Sequence, residues 1–122
     1  MKHNLNLIEN KYSEEELEYN INLFDKVDWY YISSRQNLSE EFIDRHYDKV
    51  DWIYISECQT LSEEFIEKHS DKVSWENVSF YQELSEKFIK KHINKISIYW
   101  LIYNKNITEE IKEEIKTLKE II

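Results

Sequence analysis

The sequence repeats itself every 23 residues. LSEEFIDRHYDKVDWIYISECQT (38–60) aligns with LSEEFIEKHSDKVSWENVSFYQE (61–83) and then with LSEKFIKKHINKISIYWLIYNKN (84–106). Upstream, FDKVDWYYISSRQN (24–37) is the second half of an earlier unit, entered through a longer segment from Ser13. Downstream, 107–122 begins a fifth unit and continues as one amphipathic pattern. A unit this short cannot bury a hydrophobic face alone, so successive copies must stack to build a core.

Each unit reads as two short helices. Ser39, Ser62 and Ser85 fall at N-caps followed by Glu-rich first turns, which satisfy orphan N–H groups and suit the positive end of the helix dipole. Leu38/Ile43, Leu61/Ile66 and Leu84/Ile89 are spaced as hydrophobic staples. The second helix takes Asp28, Asp51, Ser74 and Ser97 as caps, with staples Val27/Ile32, Val50/Ile55, Val73/Val78 and Ile96/Leu101. The stretch 107–122 predicts a final helix capped by Thr108 and lined by Ile111, Ile115, Leu118 and Ile122. It reads as a C-terminal capping helix, and its apolar spacing would alternatively form a homodimer seam. The expected fold is therefore all-α: tandem two-helix repeats at about 13–37, 38–60, 61–83 and 84–106, stacked as a short solenoid or compact superhelical array. The whole of 1–122 is expected to be one domain.

Composition narrows the function. The chain has no glycine and no proline, so a Gly-rich phosphate loop and a Gly-x-Ser-x-Gly nucleophile elbow are both excluded. Alanine is absent too, while Ile, Lys, Asn, Glu and Tyr abound, which points to an AT-rich genome. No apolar run is long enough to span a membrane, and the N-terminus does not read as a signal peptide. A single cysteine, Cys58, excludes an intrachain disulfide and fits a reducing cytoplasm. Net charge is −9 and unevenly placed. Residues 1–83 carry 8 basic and 19 acidic side chains, net −11, and residues 84–122 carry 8 and 6, net +2. Such a surface repels nucleic acid and anionic membranes and attracts basic partners.

The string LSEEFI…H…DKVDW…IS…Q resembles a 23-residue repeat of proteins from low-GC bacteria, their phages and giant DNA viruses, over roughly residues 24–111. Those proteins are largely of unknown function. The resemblance implies a phage or mobile-element product, a class whose small acidic members include inhibitors of host defence such as anti-CRISPR proteins. The fourth unit departs from the pattern, with Ile98 in place of Trp and Ile102 in place of Ser.

No residue set reads as catalytic, and no cofactor is expected. His46, His69 and His92 recur at one position of successive units, a ladder with rungs about 8–10 Å apart. Zinc ligands lie about 2 Å from the metal, so such a ladder cannot close a metal site; the histidines read as structural. Trp29, Trp52 and Trp75 recur at the start of the second helix and read as core; Gln36, Gln59 and Gln82 recur at its end and read as ties between units. Cys58 has Arg35, Tyr81 and Asn104 at its equivalent positions and no evident base.

Positions that do not repeat are freer to serve binding. Tyr30, Tyr31, Tyr54 and Tyr81 fall on one face of successive second helices, with Phe80, Tyr99, Trp100, Tyr103 and Asn104 at related positions. Asp25, Asp28, Asp48, Asp51, Glu40 and Glu41 would line up as acidic rows imitating a phosphate backbone. The sequence thus supports a non-catalytic, cytoplasmic protein-binding inhibitor encoded by a virus or mobile element. Its expected partner is a basic, nucleic-acid-binding host defence protein, with no direct contact to nucleic acid or membrane. The alternative is a structural or adaptor repeat without inhibitory role.

Overall fold

The computed structural model describes residues 2–121. They form nine α-helices and one short 3-10 helix, with no strand among the described residues. Contacts group them into two compact units, 1–59 and 60–122, whose boundary falls within one residue of a repeat boundary.

The first unit contains α1 (Glu14–Tyr19), a 3-10 turn (Ile21–Leu23), α2 (Lys26–Arg35), α3 (Glu40–Arg45) and α4 (Trp52–Cys58). The second contains α5 (Glu63–Lys68), α6 (Trp75–Tyr81), α7 (Glu86–Lys91), α8 (Ile98–Leu101) and α9 (Glu109–Ile121). Most run six or seven residues, too short to persist without tertiary packing.

The helix starts follow the sequence closely. Ser39, Ser62 and Ser85 accept the backbone N–H of Phe42, Phe65 and Phe88. Ser62→Ala should therefore cost about 1 kcal/mol, measured by urea denaturation; an unchanged midpoint would show that the cap contributes nothing. The helix ends explain how a chain without glycine turns at all. α3, α5 and α7 end on His46, His69 and His92 with φ between −117° and −108°, while α2, α4 and α6 end on an extended glutamine. No described residue has positive φ, so nowhere is the conformation that favours glycine required.

The core repeats with the sequence. Phe42 and Ile43, Phe65 and Ile66, and Phe88 and Ile89 are buried, as are Ile55, Val78 and Leu101 from the second helices. Leu61, Leu84 and Ile107 fill the equivalent N′ positions. In the first unit Trp29 of α2 packs against Phe42 and His46 of α3, with ring centroids 6.4 and 5.7 Å away. Trp75 of α6 meets Phe88 and His92 of α7 at 6.2 and 5.4 Å. Trp29 and Trp75 thus each join one repeat to the next within their own unit.

Three details differ from the sequence expectation. First, α2 begins at Lys26 and its N-cap is Asp25, not Asp28. The two aspartates form a reciprocal capping box, each side chain accepting the other's backbone N–H, at 2.8 and 2.9 Å. Val27 consequently lies inside the helix and 62% exposed, so the Val27/Ile32 staple does not form. Second, Trp29 is fully in the core, but Trp52 and Trp75 are only half-buried, their indole N–H groups donating to the carbonyls of Tyr47 and Ser70. Third, α8 has only four residues, and Ser97 at its N-cap makes no side-chain cap.

The last helix, α9, packs on α7 and α8. Thr108 accepts the Ile111 N–H as its cap, Ile115 is buried, and Ile111 and Leu118 are half-buried; Ile122 lies outside the described residues. The Lys119 ammonium donates to the Ile93 and Ile96 carbonyls, holding α9 to the turn between α7 and α8.

Candidate interaction surface

Hydrogen bonds between repeats consume many of the polar residues. Gln36 donates to the Leu7 and Asn10 carbonyls and accepts from the Tyr12 N–H. The segment 7–12 therefore occupies for the first repeat the place of a preceding one. Gln59 likewise donates to the Ser33 and Gln36 carbonyls and accepts from the Leu38 N–H. Gln82 accepts from the Leu61 N–H. In the fourth repeat the task passes to Asn104, which is fully buried and donates to the Ser79 and Gln82 carbonyls. Asn104, expected on the variable face, is thus a tie. The shorter α8 brings the chain round one residue early, so a shorter amide does the work of glutamine.

Two further sets of ties escaped the sequence reading. Ser33 and Ser79 are buried, and their hydroxyls accept the N–H of Asp51 and Ser97 at the start of the following repeat's second helix. Glu14 accepts both the N–H and the hydroxyl of Ser39, and Glu63 does the same for Ser85. The spacing differs between the two pairs, 25 residues from Glu14 to Ser39 and 22 from Glu63 to Ser85, so no fixed interval in the sequence announced them.

The histidines meet glutamates of the preceding repeat. His46 lies 2.6 Å from Glu18, which also binds Arg45, and His92 lies 3.1 Å from Glu67, which also binds Lys91. Burial pushes the Glu18 carboxyl up, but hydrogen bonds from His46 and Arg45 outweigh it and hold the group below the ordinary glutamate value. Among the described residues no cluster of three His, Cys, Asp or Glu is arranged to hold a metal.

The six carboxylates expected to form an acidic surface divide into two kinds. Asp25 and Asp28 cap α2, and Asp28 also pairs with His3 at 3.1 Å. The Asp28 N–H holds the Asp25 carboxyl below its ordinary value. Asp51 accepts from the N–H groups of Ile53 and Tyr54. Glu40 is half-buried in the first turn of α3, whereas Glu41 beside it and Asp48 in the following turn are exposed. Capping leaves the charge in place, and the first unit carries 6 basic and 13 acidic side chains, net −7.

The tyrosines belong to both units. Tyr30, Tyr31 and Tyr54 come together on the packed pair α2 and α4, with Tyr30 4.5 Å from Tyr54 and 5.1 Å from Tyr31, edge to face. Tyr81 belongs to the second unit, where it lies against Phe80, which in turn meets Trp100. Tyr99, Ile102 and Tyr103 are exposed there. Cys58 is a poor nucleophile: partial burial and the neighbouring Glu57 push its thiol up to about 11.

No described helix is long and apolar enough to cross a membrane. No family model, curated protein or solved structure matches the chain.

Proposed function

We propose that the chain is a non-catalytic protein-binding domain, its repeats stacked as a short solenoid, that inhibits a basic, nucleic-acid-binding protein of its host by covering that protein's nucleic-acid surface. The observation that carries this reading is the pairing, within the first unit, of a net charge of −7 with a partly exposed cluster of three tyrosines. Tyrosine anchors protein interfaces, and complementary charge steers a basic partner onto them. The resemblance to repeats of phages and low-GC bacteria supports a viral or mobile-element origin and a cytoplasmic site of action.

The test is capture of the partner from host lysate, followed by competition. Duplex DNA should displace the chain from the captured protein. Replacing Asp25, Asp28, Asp48 and Asp51 together with Asn keeps an acceptor at every cap while removing four charges. Association should then slow markedly at low salt, where the Debye length is about 30 Å, and the difference should shrink near physiological salt, where it is about 8 Å. A captured partner indifferent to both DNA and the four substitutions would overturn the inhibitor reading.

A second reading, an adaptor that self-associates through 107–122, is favoured by an open, largely apolar groove of about 570 Å³ along α9, lined by Lys90, Glu113, Glu114, Thr117, Leu118 and Ile121. Ile121 is 77% exposed beside it. A concentration-independent monomer mass in sedimentation would remove that reading.

A further inference from the structure

The cluster of Tyr30, Tyr31 and Tyr54 offers aromatic faces of mixed orientation, since the rings meet edge to face and not in a stack. Tyr30 keeps 37% of its surface exposed, and Ile53 beside Tyr54 is exposed as well. The cluster is also acidic. The neighbouring Tyr30 phenol, its ring 4.5 Å away, and the nearby charges of Glu57 and Asp51 hold the Tyr54 phenol above its ordinary value. An aromatic face under a negative field attracts cations. The chain itself shows such a contact, because the Arg35 guanidinium lies 5.9 Å from the centroid of the Tyr31 ring.

Given that the partner is a basic protein, as proposed above, we infer that the tyrosine cluster on α2 and α4 is where arginine side chains of that partner dock, their guanidinium planes laid on Tyr30 and Tyr54 and their N–H groups turned to Glu57. Arginine fits better than lysine because its flat, weakly hydrated cation stacks on a ring while still donating to a carboxylate. Nucleic acid bases also stack on tyrosine, but a unit of net charge −7 repels the phosphates that accompany them.

The experiment uses the whole chain and two short peptides, one of alternating arginine and serine and the other its lysine counterpart. Each is titrated while the tyrosine ring resonances are followed by NMR. The arginine peptide should bind about tenfold more tightly than the lysine peptide, and the Tyr30 and Tyr54 rings should shift most. Tyr30→Leu combined with Tyr54→Leu should abolish the preference. Should that variant fold poorly by circular dichroism, Glu57→Gln, which leaves both rings in place, should reduce it several-fold. Equal affinity for both peptides, or shifts confined to other residues, would overturn the docking inference and leave a generally acid-driven binder standing. Binding of neither peptide would remove the basic-partner function along with it.

Discussion

Trp29→Ala should destabilise the chain by about 3–5 kcal/mol, the range for losing a large buried aromatic. Trp29 is only 5% exposed, and its indole meets Phe24, Phe42 and His46 with centroids 5.8, 6.4 and 5.7 Å away. The substitution therefore removes the ring that these three pack on and opens a cavity between α2 and α3. Trp52→Ala is the natural comparison. Trp52 recurs at the equivalent place in the repeat but is half-buried, so it should cost clearly less, even with the loss of its hydrogen bond to the Tyr47 carbonyl. Urea denaturation of both variants reads the difference. Equal costs, or a cost below about 1 kcal/mol at Trp29, would mean that the joint between repeats does not depend on the indole.

Gln59→Leu preserves most of the side-chain volume and removes only its hydrogen bonds. The Ser33 and Gln36 carbonyls and the Leu38 N–H lose the partner that Gln59 provides at 2.9, 2.7 and 3.1 Å. A buried polar group left unpaired costs about 1–3 kcal/mol, so the variant should lose roughly 3–5 kcal/mol. Hydrogen exchange supplies a local readout. The Leu38 amide should exchange much faster than in the parent chain even under conditions where both remain folded. Unaltered protection at Leu38 would show that its N–H is held by something other than Gln59. Thr60→Val, at an exposed neighbour, is the control for a change of polarity without loss of a tie.

These two residues mark different depths of legibility. That Trp29 belongs to a core was readable from its recurrence as Trp52 and Trp75, because an aromatic placed once per repeat must face the next repeat. Its complete burial was not: Phe24 packs edge to face on the indole, and the equivalent positions hold Tyr47, Ser70 and Ile93. Asp25 and Asp28 are spaced to cap one another, and DKVD recurs as Asp48 and Asp51. In the later repeat the first aspartate instead lies in a turn closed by the Val50 N–H bonding to the His46 carbonyl. The same four letters thus serve as a capping box in one place and as a turn with a single cap in the other. The choice rests on whether the chain arrives from an α-helix, as at His46, or from the 3-10 turn Ile21–Leu23.

The carboxylates show the same division. Their sequence positions suggested rows on a surface; Asp48 and Glu41 are exposed. Yet Glu14, Glu18, Glu63 and Glu67 are each engaged with a serine or histidine of the following repeat. Nothing in a run such as SEEE states that its first glutamate will bind a serine 25 residues on.

What the sequence determined by itself was helical character, the period of 23 and the N-caps of α3, α5 and α7. All of these depend on residues a few positions apart, where local hydrogen-bond geometry leaves few alternatives. What only the tertiary structure decided was which polar groups tie one repeat to the next, that Asn104 replaces a glutamine, and that Tyr30, Tyr31 and Tyr54 meet while Tyr81 packs with Phe80. Those outcomes depend on the register with which one helix pair lies against another. Register is set by the summed packing of many side chains at once, so no short stretch of the chain contains it.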